Sequence, residues 1–115
     1  MNYLYGTFSD SQIEDNAKLM HGEIHKLLLQ KDPQLVKKIF QSDAEFLSYF
    51  RNLLYRFGGL NELLKEPTQM VSLMATLQAA YNETQQTVFH WDVYRRLILD
   101  AHAYIKSMFE EAQNA

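Results

Sequence analysis

The sequence predicts an all-α protein, an antiparallel four-helix bundle with one or two short connecting helices. Four stretches carry apolar residues at spacings of three and four, the pattern of a helix with one buried face. No stretch alternates apolar and polar residues over the length of a strand, so no sheet is predicted. With 115 residues, 47% of them hydrophobic, the chain fits one helical-bundle domain over 1–115, in which residues 1–8 form a non-helical N-terminal segment.

The first helix is predicted to begin after Ser9, because Ser9 and Gln12 have the spacing of a capping box. It should end at about Gln30. Its apolar stripe consists of Ile13, Ala17, Met20, Ile24, Leu27 and Leu28. Asp32 is a good capping residue and Pro33 suits a first helical position, so a two-turn connecting helix is expected next. The apolar face of this short helix would consist of Leu35, Val36, Ile39 and Phe40.

The second long helix is predicted to begin at a complete capping box formed by Ser42 and Glu45. Its stripe is rich in aromatic residues and consists of Phe46, Phe50, Leu53, Leu54 and Phe57. Gly58 and Gly59 follow, and glycine readily adopts the left-handed conformation that ends many helices. We therefore expect the helix to stop there and a second short connecting helix to begin at Leu60.

The third helix is predicted to open at Pro67 and to end near Glu83. Its stripe consists of Met70, Leu73, Met74, Leu77, Ala80 and Tyr81. Residues 82–87 are polar and turn-like, and the last helix follows Phe89. Its stripe consists of Tyr94, Leu97, Ile98, Ala101, Ile105 and Met108. Amphipathic helices bury such stripes against one another, which is why a bundle is expected.

Composition excludes several classes of function. The chain has 11 Lys and Arg against 14 Asp and Glu, so it lacks the positive field that attracts nucleic acid, and no nucleic-acid partner is expected. The absence of Cys removes disulfides, thiolate metal sites and cysteine nucleophiles. No nucleophile elbow or phosphate loop occurs, so we expect neither an enzyme nor a cofactor. No apolar run reaches the ~20 residues of a membrane span and no signal peptide is evident, so a cytoplasmic location is expected.

His21 and His25 are the metal-ligand candidates of the sequence. Residues four apart on a helix lie side by side, which is the spacing of the two zinc-binding imidazoles in zincins. The zincin motif has Glu directly after its first His, whereas Gly22 stands in that position here. The alternative is that both His lie on the polar flank of the first helix and bind nothing.

Aromatic residues outside the stripes are the candidates for partner binding. Tyr3, Tyr5 and Phe8 precede the first helix, and Trp91 stands near the start of the last one. These side chains either pack against the bundle or form an exposed aromatic patch that is available to a partner. The sequence leaves both alternatives open, and it does not predict an oligomeric state.

A series of features between residues 16 and 108 follows a recognisable order. The first half contains Ala17-Lys18 in a helix, a Lys31-Asp32-Pro33 break and an aromatic helix at 46–57. The second half contains Pro67, an apolar helix at 70–77, a polar turn at 82–87, Phe89 and Leu97-Ile98. This pattern resembles the immunity proteins that accompany class IIa (pediocin-like) bacteriocins in lactic acid bacteria.

The resemblance implies a cytoplasmic helical bundle that binds a membrane receptor complex in its toxin-bound state and closes it from the cytosolic side. It assigns no site residues. The alternative is a small regulatory or adaptor protein of a phage or mobile element that binds a cytosolic protein through its aromatic N-terminus. A third possibility is a bundle that binds a metal or small ligand at His21 and His25.

Overall fold

The computed structural model describes the backbone of residues 2–3, 6–7, 10–63 and 68–114, and the side chains of residues 15, 17–62 and 68–107. The described residues form four helices, α1 (Asp10–Lys31), α2 (Asp43–Leu63), α3 (Thr68–Thr84) and α4 (Trp91–Asn114). The predicted all-α fold is thereby confirmed. The helices pack into a body of 42 × 22 × 21 Å.

The prediction that the chain has no sheet is wrong at the N-terminus. Strands β1 (Asn2–Tyr3) and β2 (Gly6–Thr7) pair antiparallel, with Asn2 opposite Thr7 and Tyr3 opposite Gly6. Strands of two residues are too short to show an alternating pattern, so the sequence carried no signal for them.

Contacts between α1 and α2 show that these helices run in opposite directions. Lys31, at the end of α1, forms an ion pair of 3.2 Å with Asp43, at the start of α2. Glu23, in the middle of α1, pairs at 2.8 Å with Arg56, in the second half of α2. Helices α1 and α2 are therefore antiparallel.

The same reasoning applies to α2 and α3. Arg51, in the first half of α2, donates a hydrogen bond of 3.2 Å to the hydroxyl of Tyr81, near the end of α3. Further along α2, a Cβ atom on Gly58 would lie 3.9 Å from the terminal carbon of Met74, in the middle of α3. These two helices are antiparallel as well.

Helix α4 closes the ring of helices by packing against both α3 and α1. The Tyr94 hydroxyl donates a hydrogen bond of 2.8 Å to the carbonyl of Leu27, near the end of α1. Later in α4, His102 contacts His21, which lies earlier in α1. Since α1 and α3 share a direction, α4 runs antiparallel to both, and the arrangement is an antiparallel four-helix bundle.

The predicted apolar stripes form the core. The fully or nearly fully buried side chains are Ala17, Met20, Ile24 and Leu27 from α1, Phe46, Phe50, Leu53 and Phe57 from α2, Met70, Leu73, Leu77 and Ala80 from α3, and Tyr94, Ile98, Ala101 and Ile105 from α4. Within the side chains that the structure describes, no polar or charged residue is buried among them. The stripe residues Ile13 and Met108 lie outside the described side chains.

The predicted two-turn helix after Pro33 is wrong, because residues 32–42 form turns and bends. Asp32 does act as a local cap, since its carboxylate accepts a hydrogen bond of 2.9 Å from the Gln34 amide. The turn does not continue into a helix, and at the other end of the segment the backbone N–H of Phe40 donates a hydrogen bond of 2.8 Å to the side-chain oxygen of Gln30 on α1. Tertiary contacts therefore override the local helix signal.

The predicted helix stop at Gly58 and Gly59 is also wrong. Helix α2 continues through both glycines to Leu63, so the short connecting helix expected from Leu60 is part of α2. Neither glycine has the positive φ angle of a helix-ending residue. Phe57 and Leu60 pack on the core on either side of the pair, and this packing holds the helical conformation through it.

The predicted starts of α2 and α4 are confirmed, by different capping groups. The Ser42 hydroxyl accepts a hydrogen bond of 3.1 Å from the Glu45 amide, as a capping box requires. Before α4, the carboxylate of Glu83 accepts a hydrogen bond of 2.8 Å from the His90 amide. Glu83 thus supplies from α3 the capping oxygen that the sequence around His90 lacks.

Candidate functional site

Three histidines meet on the surface between α1 and α4. The rings of His21 and His102 are stacked, with centroids 3.9 Å apart. His25 completes the group, with its centroid 6.3 Å from that of His21 and 6.0 Å from that of His102. The structure therefore brings the two predicted metal-ligand candidates together with a third imidazole, which the sequence did not connect to them.

The helix faces explain why these residues meet. His21 and His25 flank the buried Met20 and Ile24 on the side of α1 that faces α4. His102 follows the buried Ala101 on the side of α4 that faces α1. The antiparallel packing of α1 and α4 places His102 beside His21 and His25 along the helix axes. The three rings therefore form one group, which we call the histidine cluster.

The electrostatic environment of the histidine cluster differs from residue to residue. His21 and His25 are exposed, whereas both ring nitrogens of His102 are buried without a hydrogen-bond partner among the described residues. Burial lowers the pKa of His102 to about 4, and the neighbouring His21 and His25 add to the shift because protonating all three would bring like charges together. His102 is therefore neutral near pH 7 and keeps a free lone pair.

The rings are not aligned for a metal ion as they stand. Among the described residues, no group of three His, Asp or Glu side chains is placed to hold a metal ion. The planes of His21 and His102 are inclined by only 29° and those of His21 and His25 by only 16°, whereas in-plane lone pairs that share one ion need planes that intersect at the ion.

The fourth histidine of the chain is separate from this cluster. The Nδ1 atom of His90 lies 3.0 Å from the carboxylate of Glu83, in the connection between α3 and α4. His90 is exposed and belongs to the cap of α4, away from His21, His25 and His102.

One end of the bundle exposes apolar side chains from two connections. The α1–α2 connection (32–42) and the α3–α4 connection (85–90) both lie at this end, because the Lys31 ammonium lies 5.2 Å from the ring centroids of Phe46 and Phe89. The exposed side chains, which we call the apical surface, are Val36, Ile39 and Val88. Their exposed fractions are 97%, 45% and 64%.

Sequence reasoning missed the apical surface. It assigned Val36 and Ile39 to the buried face of a short helix that does not form. In the structure Phe40 packs against the rings of Phe46 and Tyr49 at 5.8 and 4.9 Å, and Leu35 is half-buried. A cluster of apolar residues directly after Asp32-Pro33 was the available signal, but its interpretation depended on whether the segment was helical.

The structure describes the side chain of only one of the four predicted partner-binding residues. Trp91 is half-buried at the start of α4, with its ring 6.2 Å from that of Tyr94, so it lies at the same end as the apical surface and leaves part of its ring exposed. Tyr3 lies in β1, and its side chain is outside the described side chains. Tyr5 and Phe8 lie outside the described residues, so their role stays a prediction.

A shallow depression lies on the outer side of α2. It is lined by Leu54, Tyr55, Gly58, Gly59 and Glu62. It is partly open to solvent and contains one ionisable carboxylate among its lining side chains, an arrangement without the convergent polar groups of a substrate site.

Comparisons with protein-family models, with curated proteins and with solved structures find no match to this chain. Among the described residues, no helix has the length and the apolar character needed to cross a membrane.

Proposed function

We propose that this protein is a non-enzymatic, cytoplasmic protein–protein interaction module, and that its partner binds the apical surface. The observation that supports the proposal is the exposure of Val36, Ile39 and Val88 on two connections at the same end of the bundle. The other exposed large apolar side chains lie along the helices and are Leu19, Tyr55, Val71, Val93 and Leu99. Exposed apolar side chains on loops are common in binding surfaces, because a partner that covers them removes apolar area from water at about 25 cal/mol per Å².

Trp91 extends this surface toward the body of the bundle. Tryptophan is enriched among residues that dominate binding energies, and its half-buried position would let it contribute area without losing much side-chain freedom. The apical surface and Trp91 together offer β-branched and aromatic side chains held by the ends of all four helices.

The specific form of the proposal is an immunity protein that protects a membrane receptor complex from a bacteriocin. It rests on the resemblance to the class IIa immunity proteins, and the all-α bundle is compatible with it. In this role the module would bind the receptor complex from the cytosolic side only when the toxin is bound. Such selectivity requires a difference in binding free energy between the free and toxin-bound states of the receptor.

Affinity capture tests the proposal. The tagged protein is incubated with detergent-solubilised membranes of lactic acid bacteria, with and without a pediocin-like bacteriocin, and bound proteins are identified by mass spectrometry. We expect toxin-dependent recovery of a sugar-transport membrane complex. The double variant Val36→Ser/Val88→Ser should lose it, while the control Leu19→Ser, which changes an exposed apolar residue on α1, should retain it. Equal recovery by both variants would remove the apical surface from the proposal.

The alternative is an adaptor that binds a cytosolic protein through its N-terminus. The pairing of β1 with β2 supports it, because it gives the backbone of Tyr3 a place in a paired strand. In a capture from whole-cell lysate, which also contains cytosolic proteins, an adaptor would recover one partner regardless of toxin. Deletion of residues 1–8 would abolish that recovery, whereas the variant Val36→Ser/Val88→Ser would retain it.

A further inference from the structure

We propose that His21, His25 and His102 form a binding site for a divalent transition-metal ion such as Zn²⁺, which would link α1 to α4. The site goes beyond the pair on α1, because its third ligand comes from the opposite helix. It is independent of the proposed interaction with a partner protein, since the histidine cluster lies between α1 and α4 rather than in the two connections at the apical end.

The spacing of the rings supports this site. Zinc binds imidazole nitrogen at about 2.0–2.1 Å, and a tetrahedral arrangement then holds ring centroids roughly 5 Å apart. The ring of His25 lies near this distance from both others, with centroids 6.3 Å from His21 and 6.0 Å from His102. Two features depart from the arrangement: the 3.9 Å stack of His21 on His102, and the plane of His21, which is inclined by only 16° to that of His25.

The proposed site requires the ring of His21 to turn out of its present orientation. His21 is exposed, and exposed side chains exchange rotamers within nanoseconds at small energetic cost. If its ring turns out of the stack while its helix stays in place, its in-plane lone pair can point at the position that His25 and His102 share.

The second observation is that His102 lacks partners. Buried polar atoms in folded proteins are almost always hydrogen-bonded, yet neither buried ring nitrogen of His102 has a partner among the described residues. A bound metal ion would satisfy one of these nitrogens. The ligand must be neutral to bind a metal, and burial of His102 favours its neutral form.

The test measures the binding of Zn²⁺ to the full chain by competition with a chromophoric chelator, after treatment with EDTA. We expect saturable one-to-one binding and a rise in thermal stability on adding the metal, because an ion that joins two helices favours the folded state. Replacement of Zn²⁺ by Co²⁺ should produce the visible absorption of a tetrahedral site.

Single variants assign the ligands. His102→Gln should weaken binding about tenfold or more, because only the pair on α1 would remain. His25→Gln changes an exposed residue and should weaken binding without disturbing the fold, which keeps the test valid if His102→Gln fails to fold. His90→Gln is the matched control and should bind as the unchanged protein does.

Three results would overturn the proposal. The first is the absence of saturable binding at micromolar Zn²⁺. The second is unchanged affinity in His102→Gln, which would reduce the site to the two histidines of α1. The third is a loss of affinity in His90→Gln as large as that in His25→Gln, which would show non-specific binding to histidines.

Discussion

Tyr94 shows how one side chain joins two helices of this bundle. It is fully buried, and its hydroxyl donates a hydrogen bond of 2.8 Å to the Leu27 carbonyl. We predict that Tyr94→Phe lowers the free energy of unfolding by about 1–2 kcal/mol, since it removes the hydrogen bond and leaves the ring in place. Urea denaturation followed by circular dichroism measures the change. Tyr55→Phe is the control, because Tyr55 is 83% exposed, and an equal effect of both variants would contradict the prediction.

The same residue predicts how stability depends on alkaline pH. Burial raises the pKa of Tyr94 far above its usual value of about 10, so the folded state keeps the phenol protonated. Its contribution to stability is therefore complete below pH 10 and is lost as the pH rises above that value, by up to about 1.4 kcal/mol per pH unit. Stability measured at several pH values above 10 should fall less steeply in Tyr94→Phe. Identical slopes in the two proteins would contradict the assignment.

At the scale of the element, α2 provides a test through its two glycines. Gly59 is exposed and has a helical backbone, and a Cβ atom added to it would meet no other atom within 4 Å. We predict that Gly59→Ala raises the free energy of unfolding by about 0.5–1 kcal/mol, because alanine loses less conformational entropy on entering a helix. Gly22→Ala, in the middle of α1 with similarly open surroundings, is the matched comparison. If the glycines ended the helix in a left-handed conformation, Gly59→Ala would destabilise the protein instead.

At the scale of the whole molecule, the four stripes form one core, so the helices should unfold together. Phe50 is fully buried and touches the rings of Phe46 and Tyr81, on α2 and α3. We predict that Phe50→Ala lowers the free energy of unfolding by about 3–5 kcal/mol. Circular dichroism reports all helices, while fluorescence of Trp91, the single Trp, reports the start of α4. Their unfolding curves should coincide in both proteins, and separate midpoints would contradict a single cooperative unit.

The sequence predicted the long helices well and the connections poorly. The stripes on α1 to α4 and the cap at Ser42 were correct because they depend on residues close together in the chain. The segment after Pro33 and the glycines of α2 were misjudged for the opposite reason. Gln30 binds the backbone of Phe40 from another element, and packing around Gly58 and Gly59 maintains the helix. Such contacts between distant residues leave no local pattern.

The candidate sites likewise combine features that the sequence predicted with features that depend on contacts between distant residues. Spacing alone placed His21 and His25 on one side of a helix, because a helix repeats every 3.6 residues. His102 stands far along the chain, and its contact with His21 depends on the direction and height of α4 relative to α1. Exposure of Val36, Ile39 and Val88 likewise depends on how two connections lie over one end of the bundle. The sequence by itself determined the helices and their buried faces through local periodicity, whereas the histidine cluster and the apical surface were decided by tertiary packing, which sets which faces and which ends come together.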